Sequence, residues 1–210
     1  MSIHDDLPVV TAGTPLGDAR AALVCVHGRG ATAKSILELA AAVDTPGFCY
    51  LAPQAAHNTW YPNRFLAPIE SNEPGISSGM AAIERAVTLA TGAGIALQRV
   101  GLLGFSQGAC LTLEYAARHA TRYGAVIGLS GGLIGPDGTP RDYPGSFAGT
   151  PVFLGCSDID PHIPLERVHD TAEVLERLGA TVDVRIYPGM GHMVNQDELE
   201  AVSRLLGAMA

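Results

Sequence analysis

Reactive chemistry in this chain gathers in four short stretches. Gly104-Phe105-Ser106-Gln107-Gly108 sets a serine between two glycines in a G-x-S-x-G pattern. An apolar run, Arg99 to Phe105, precedes it, and a helical stripe of Ala109, Leu113, Ala116 and Ala120 follows. A serine on such a strand-to-helix turn presents Oγ above a sheet, and the close backbone approach two residues to either side favours glycine. A serine hydroxyl is a weak nucleophile at neutral pH and needs a base beside it. In this context the acid and then the base follow the serine along the chain. Gly155-Cys156-Ser157-Asp158-Ile159-Asp160-Pro161 offers Asp158 and Asp160, and Tyr187-Pro188-Gly189-Met190-Gly191-His192 offers His192. Asp160 is the favoured acid, because Pro161-His162-Ile163-Pro164 leads on into a helix and leaves the carboxylate at the tip of its loop; Asp158 reads as a turn residue. The expected roles are nucleophile for Ser106, proton acceptor and donor for His192, and orienter of the imidazole for Asp160.

A tetrahedral oxyanion needs donors fixed before reaction. The backbone N–H of Gln107, at a helix N-terminus, is one candidate, and that of Arg29 in His27-Gly28-Arg29-Gly30 is the other. The Arg29 side chain is expected to meet either a surface carboxylate or an acidic group on a substrate. Trp60, Tyr61, Phe65 and Leu66 form the densest aromatic cluster, read either as pocket wall or as a loop pinned by its own hydrophobes. Leu133, Ile134, Ile163 and Met193 are further pocket candidates. Of the other histidines, His27 reads as shaping a turn, His4 and His119 as surface or helix positions, and His57, His162 and His169 as loop or helix residues.

These stretches need a scaffold that brings them to one rim. Short apolar runs at 21–26, 48–51, 99–105, 125–129 and 151–155 read as buried parallel strands. Thr181 to Tyr187 alternates Val182, Val184 and Ile186 with Asp183 and Arg185, as an edge strand does. Val9 to Thr11 is a candidate for one more. Stripes at helical spacing lie between them: Ile76 to Ala90, Leu165 to Leu178, and Leu199 to Met209, the last with a capping-box start at Asn195 and Glu198. Strand and helix in alternation predict an α/β fold, a mostly parallel twisted sheet with helices on both faces. Two loops, Pro53 to Gly75 and Gly131 to Gly149, are longer than such units require and are candidates to carry function.

Composition narrows the classes. With 47% hydrophobic and 16% charged residues the chain is not disordered. A net charge of −8 and a single lysine, Lys34, argue against nucleic-acid binding. No apolar stretch is long enough for a membrane span, and the start lacks a signal-peptide pattern, so the cytoplasm is the expected compartment. Cys25, Cys49, Cys110 and Cys156 lie in apolar surroundings without metal spacing and read as buried free thiols. Nothing fixes the oligomeric state, and a homodimer is compatible with the chain.

On His27-Gly28-x-Gly30, Gly104-Phe105-Ser106-Gln107-Gly108, Asp160-Pro161-His162-Ile163-Pro164 and Gly191-His192, the chain resembles the phospholipase/carboxylesterase family of compact α/β-hydrolases, which includes bacterial carboxylesterases and acyl-protein thioesterases. The resemblance covers nearly the whole chain. It implies one α/β-hydrolase domain over residues 1–210 without a separate cap, a triad of Ser106, Asp160 and His192, oxyanion donors at Arg29 and Gln107, and neither metal nor cofactor. The thioesterase branch has an apolar residue and an acid where this chain has Arg29 and Ala31. The expected function is therefore a serine carboxylesterase acting on small to medium esters. An acyl thioesterase or lysophospholipase with the same triad is the alternative. A non-catalytic, ligand-holding relative is disfavoured, because no triad member is missing.

Overall fold

The computed structural model describes residues 3–43 and 45–209. Strand β2 (Ala21–Val26) is buried along its whole length, and its side chains divide between two cores. Ala22, Val24 and Val26 join one core, while Ala21 and Leu23 join the other with Cys25. This is the period-two alternation of a strand covered on both faces. The first core receives helices α2 (Gly75–Gly92), α3 (Gln107–Arg118) and α4 (Leu165–Arg177). The second receives α1 (Ala33–Ala41) and α5 (Gln196–Gly207).

The sheet has seven strands in the order β1-β3-β2-β4-β5-β6-β7. The others are β1 (Val9–Gly13), β3 (Phe48–Pro53), β4 (Val100–Phe105), β5 (Ala125–Leu129), β6 (Pro151–Ser157) and β7 (Thr181–Tyr187). Only β1 runs antiparallel to its neighbour. β7 is an edge, as its alternation predicts. Helix α1 carries little sequence signal: its buried face is only Ala33, Ile36, Leu37 and Ala40, and a capping box between Thr32 and Ser35 starts it. Among the described residues, no helix is long and apolar enough to cross a membrane. The four cysteines are free and buried, and burial pushes Cys110 and Cys156 up to about 12, which leaves them poor nucleophiles.

Parallel strands send their following loops to one end of the sheet, so β2, β4, β6 and β7 deliver Arg29, Ser106, Asp160 and His192 to a common rim. The strand order reverses between β2 and β4, which places Arg29 beside Ser106.

Helix α5, which follows the His192 loop, begins with the expected capping box. Asn195 accepts from the Glu198 N–H, and Glu198 accepts in return through Oε2 at 2.9 Å. The other oxygen, Oε1, is buried with no hydrogen-bond partner among the described residues and lies against Gly155, where any Cβ would collide with it. Burial pushes Glu198 up to about 7. The fold favours the neutral carboxyl. Its stabilising contribution is fully present below the ordinary glutamate value and is lost as pH rises through about 7. Glu198→Gln keeps the acceptor for Asn195 and removes the titration. Measured from urea midpoints, the variant's stability relative to the parent should rise between acid and alkaline pH, by at most about 3 kcal/mol. His4 and His27, which burial holds below the ordinary imidazole value, are common to both proteins and cancel in the difference. Parallel pH profiles for the two proteins would contradict this reading of Glu198.

Candidate active site

Ser106 occupies the turn between β4 and α3 at φ 56° and ψ −122°. That backbone is costly for a residue with a Cβ and survives only where the surroundings enforce it. Here they do. A Cβ on Gly104 would strike the Gly108 carbonyl, and one on Gly108 would strike the carbonyls of Val26 and His27. The two glycines allow β4, α3 and the end of β2 to close around the serine.

His192 Nε2 lies 2.7 Å from Ser106 Oγ, and its Nδ1 lies 2.7 Å from Asp160 Oδ2. The Asp160 side chain is fully buried behind the imidazole. Its Oδ1 accepts the backbone N–H groups of His162 at 2.8 Å and Ile163 at 3.1 Å. Burial alone would push Asp160 up, but the His192 hydrogen bond and these two N–H groups outweigh it and hold the carboxyl below its ordinary value. An ionised Asp160 can only accept, so Nδ1 carries the proton and Nε2 is left bare to accept from Ser106. The imidazole rests on the Phe105 ring and meets the edge of His162. Asp158, the alternative acid, is exposed and accepts the Gly189 N–H at 2.8 Å, which steadies the loop carrying His192.

The backbone N–H groups of Arg29 and Gln107 donate to no protein acceptor among the described residues, and both residues line the same hollow as Ser106. A Cβ on Gly28 would stand 3.3 Å from the Ser106 Cβ, a measure of how closely the two loops approach. Both residues also use their side chains. Gln107 accepts the Trp60 N–H at 3.0 Å and donates to the Tyr61 carbonyl at 2.8 Å. Arg29 donates to the carbonyls of Tyr61 at 2.9 Å, Pro62 at 3.0 Å and Asn63 at 2.6 Å. Among the described residues no carboxylate pairs with the Arg29 guanidinium. Backbone carbonyls from a distant loop take that place, and no motif announces them.

Those carbonyls belong to the wall of a cleft of about 510 Å³ that opens on Ser106 and His192. Phe65 and Ile163 line it, as do Tyr61, Asn63, Arg64, Cys110 and His162. The other expected pocket residues do not. Trp60 is fully buried, donates its indole N–H to the His27 carbonyl at 2.8 Å and packs against the rings of His4 and His27. Its donor needs a partner once buried, and that need turns the side chain inward. Leu66 lines a neighbouring shallow depression, and Met193 points into solvent. Leu133 and Ile134 are buried. Their loop, Gly131 to Gly149, contributes nothing to the cleft among the described residues, because Arg167 and Glu114 bind its backbone onto α3 and α4. His4 is buried rather than superficial. Its ring bonds the Trp60 carbonyl and the Ala56 N–H, fastening the N-terminal segment beneath the cleft wall. His27 shapes its turn as expected, with Nε2 accepting the Ala55 N–H at 3.1 Å.

Comparison with known proteins agrees with this architecture. A family model described as phospholipase/carboxylesterase matches residues 8–209. A curated acyl-protein thioesterase 1 from Gibberella zeae is 34% identical over 122 residues, 54% of this chain and 49% of that protein. One from Saccharomyces cerevisiae is 27% identical over 139 residues, 63% of this chain and 59% of that protein. The chain thus spans about half the length of the curated relatives it matches. The crystal structure of a phospholipase/carboxylesterase from Dyadobacter fermentans is 39% identical with a TM-score of 0.93, covering 98% of both chains. A carboxylesterase from Mesorhizobium loti, at 23% identity and a TM-score of 0.73 over 96% of each chain, shares the fold. The chain belongs to the phospholipase/carboxylesterase family of α/β-hydrolases.

Proposed function

We propose that this protein is a serine carboxylesterase for small to medium carboxylic esters, working as one domain without a cap. Ser106 Oγ attacks the ester carbonyl while His192 Nε2 takes its proton. The N–H groups of Arg29 and Gln107 receive the oxyanion. His192 returns the proton to the leaving alcohol, and a water deprotonated by the same nitrogen then releases the acid from Ser106. Asp160 keeps the imidazole in the tautomer this requires. The observation that carries the reading is the continuous pair of 2.7 Å hydrogen bonds from Ser106 through His192 to Asp160, with Ser106 and His192 lining the cleft.

The cleft also favours short substrates. Its apolar lining is a short stretch made by Tyr61, Pro62, Phe65, Cys110 and Ile163, interrupted by the polar side chains of Arg29, Arg64 and His162. Each further CH₂ of an acyl chain gains about 0.8 kcal/mol only where apolar surface continues to cover it. The second reading, an acyl thioesterase or lysophospholipase, draws on the names of the curated relatives. A panel of p-nitrophenyl esters from acetate to palmitate, run beside matched acyl thioesters, separates the two. Values of kcat/KM should peak among the shorter esters and fall beyond about eight carbons, where added methylenes leave the apolar wall. A rate that climbs steadily to palmitate, or thioesters cleaved far faster than esters, would favour the second reading.

A further inference from the structure

The electrostatics of the cleft run against those of the molecule. The chain carries a net charge of −8, yet the cleft is lined by the guanidinium groups of Arg29 and Arg64 and the imidazoles of His162 and His192, with no lining carboxylate among the described residues. Asp160 places one negative charge behind His192, its side chain buried and its oxygens held by N–H groups, against the two guanidinium charges of the cleft. Glu73, close in sequence to the wall, is turned away and caps the start of α2 through Ser77.

Among the described residues the guanidinium groups of Arg20, Arg64, Arg99 and Arg177 have neither an ion pair nor a hydrogen bond, and of these four only Arg64 lines the cleft. Arg85, Arg118, Arg141, Arg167, Arg185 and Arg204 each pair with a carboxylate. The Arg64 guanidinium, in contrast, makes no hydrogen bond or ion pair with any described residue, although its backbone is firmly held: its carbonyl accepts the Asn72 side chain at 3.0 Å and the Ala67 N–H at 3.0 Å. Arg64 is exposed and lines both the cleft and the adjoining shallow depression formed with Asn63, Leu66, Ala67 and Ser71. An unpaired planar fork thus stands at the rim between the two hollows. Arg29 adds charge behind it, since carbonyl oxygens bind its guanidinium without neutralising it. A guanidinium presents paired donors to carboxylate or phosphate oxygens. A positively lined cleft in an acidic surface also concentrates anions locally while the rest of the molecule repels them.

We infer that the cleft selects esters bearing an anionic group, a carboxylate or a phosphate, on the part of the substrate that projects past Ser106 to the rim, and that Arg64 receives that group as the specificity-determining residue. The inference rests on the esterase reading. Neutral esters still react, because the proposed reaction runs at Ser106 and His192. The anionic group contributes binding, so its effect falls mainly on KM and weakens as salt screens it.

The test compares matched substrates. On the alcohol side these are the butyrate esters of ethanol, of glycolate and of 2-hydroxyethyl phosphate. On the acyl side they are diethyl glutarate and monoethyl glutarate. The parent protein and Arg64→Gln are assayed at low and high salt. In at least one matched set the anionic member should exceed its neutral partner in kcat/KM by about tenfold at low salt, chiefly through KM. Arg64→Gln should collapse that ratio to within about twofold of unity, and so should high salt. The larger of the carboxylate and phosphate ratios identifies the natural anion. A parent that prefers the neutral member in every set, or a preference that survives in Arg64→Gln, overturns the inference and leaves the esterase reading standing. A parent that turns over no ester and is not labelled at Ser106 by a fluorophosphonate overturns the esterase reading, and the inference with it.

Discussion

Replacing Ser106 by alanine should lower kcat for short p-nitrophenyl esters by at least about 10⁴-fold, because it removes the hydroxyl that lies 2.7 Å from His192 Nε2 and is proposed as the nucleophile. The small remainder would come from binding and from the oxyanion donors, which need no Oγ. The fold should survive. The substitution keeps a Cβ at φ 56°, so it adds no backbone strain, and the Ser106 side chain caps no helix N–H. The loss is one partly buried hydrogen bond to His192, worth about 1 kcal/mol. Urea unfolding should therefore place the variant within about that margin of its parent. Fluorophosphonate labelling should vanish along with turnover. Retained turnover in a folded Ser106→Ala protein would remove the serine from the mechanism.

Asp160→Asn should cost nearly as much, about 10⁴-fold in kcat, through the tautomer of a neighbouring ring rather than through contact with substrate. The local backbone dictates the outcome. The N–H groups of His162 and Ile163 both point at the oxygen that faces away from His192. An asparagine must keep its carbonyl there to satisfy two donors, and its NH₂ is then presented to Nδ1. Nδ1 becomes the acceptor, the ring proton moves to Nε2, and Nε2 can no longer take a proton from Ser106. Substrate binding does not pass through this residue, so KM should change far less than kcat. A loss below about tenfold would exclude Asp160 as the orienter of the imidazole.

Much of the scaffold is legible in the chain because burial on both faces leaves a plain signature. The continuous apolar runs of β2 to β6 and the alternation of β7 reflect where water reaches each strand. A parallel sheet then turns chain order into geometry, since every loop that follows a strand emerges at the same rim. Ser106, Asp160 and His192 could be singled out on that basis, and the structure brings them within hydrogen-bonding distance. The cleft wall follows different rules. Whether an aromatic residue in a long loop faces inward or outward depends on a partner far away in sequence. Trp60 turns in because the His27 carbonyl awaits its indole, whereas Phe65 remains at the cleft. The Arg29 guanidinium and the His4 ring both bond backbone groups of the Ala56–Asn63 stretch, which no side-chain pattern can advertise. Helix α1 escapes notice for a simpler reason, because nine residues with only two bulky apolar side chains facing inward give too few turns for a period to show.

The strip from Trp60 to Asn63 is riveted from two sides, by the side chains of the same two residues whose amides are the proposed oxyanion donors. Selectivity and reactivity are thereby geared together in this scaffold. Remodelling that strip to admit bulkier substrates would tilt Arg29 and Gln107 and blunt the cradle for negative charge, so adaptation to new esters has its free room at Phe65, Ile163 and the rim beyond them.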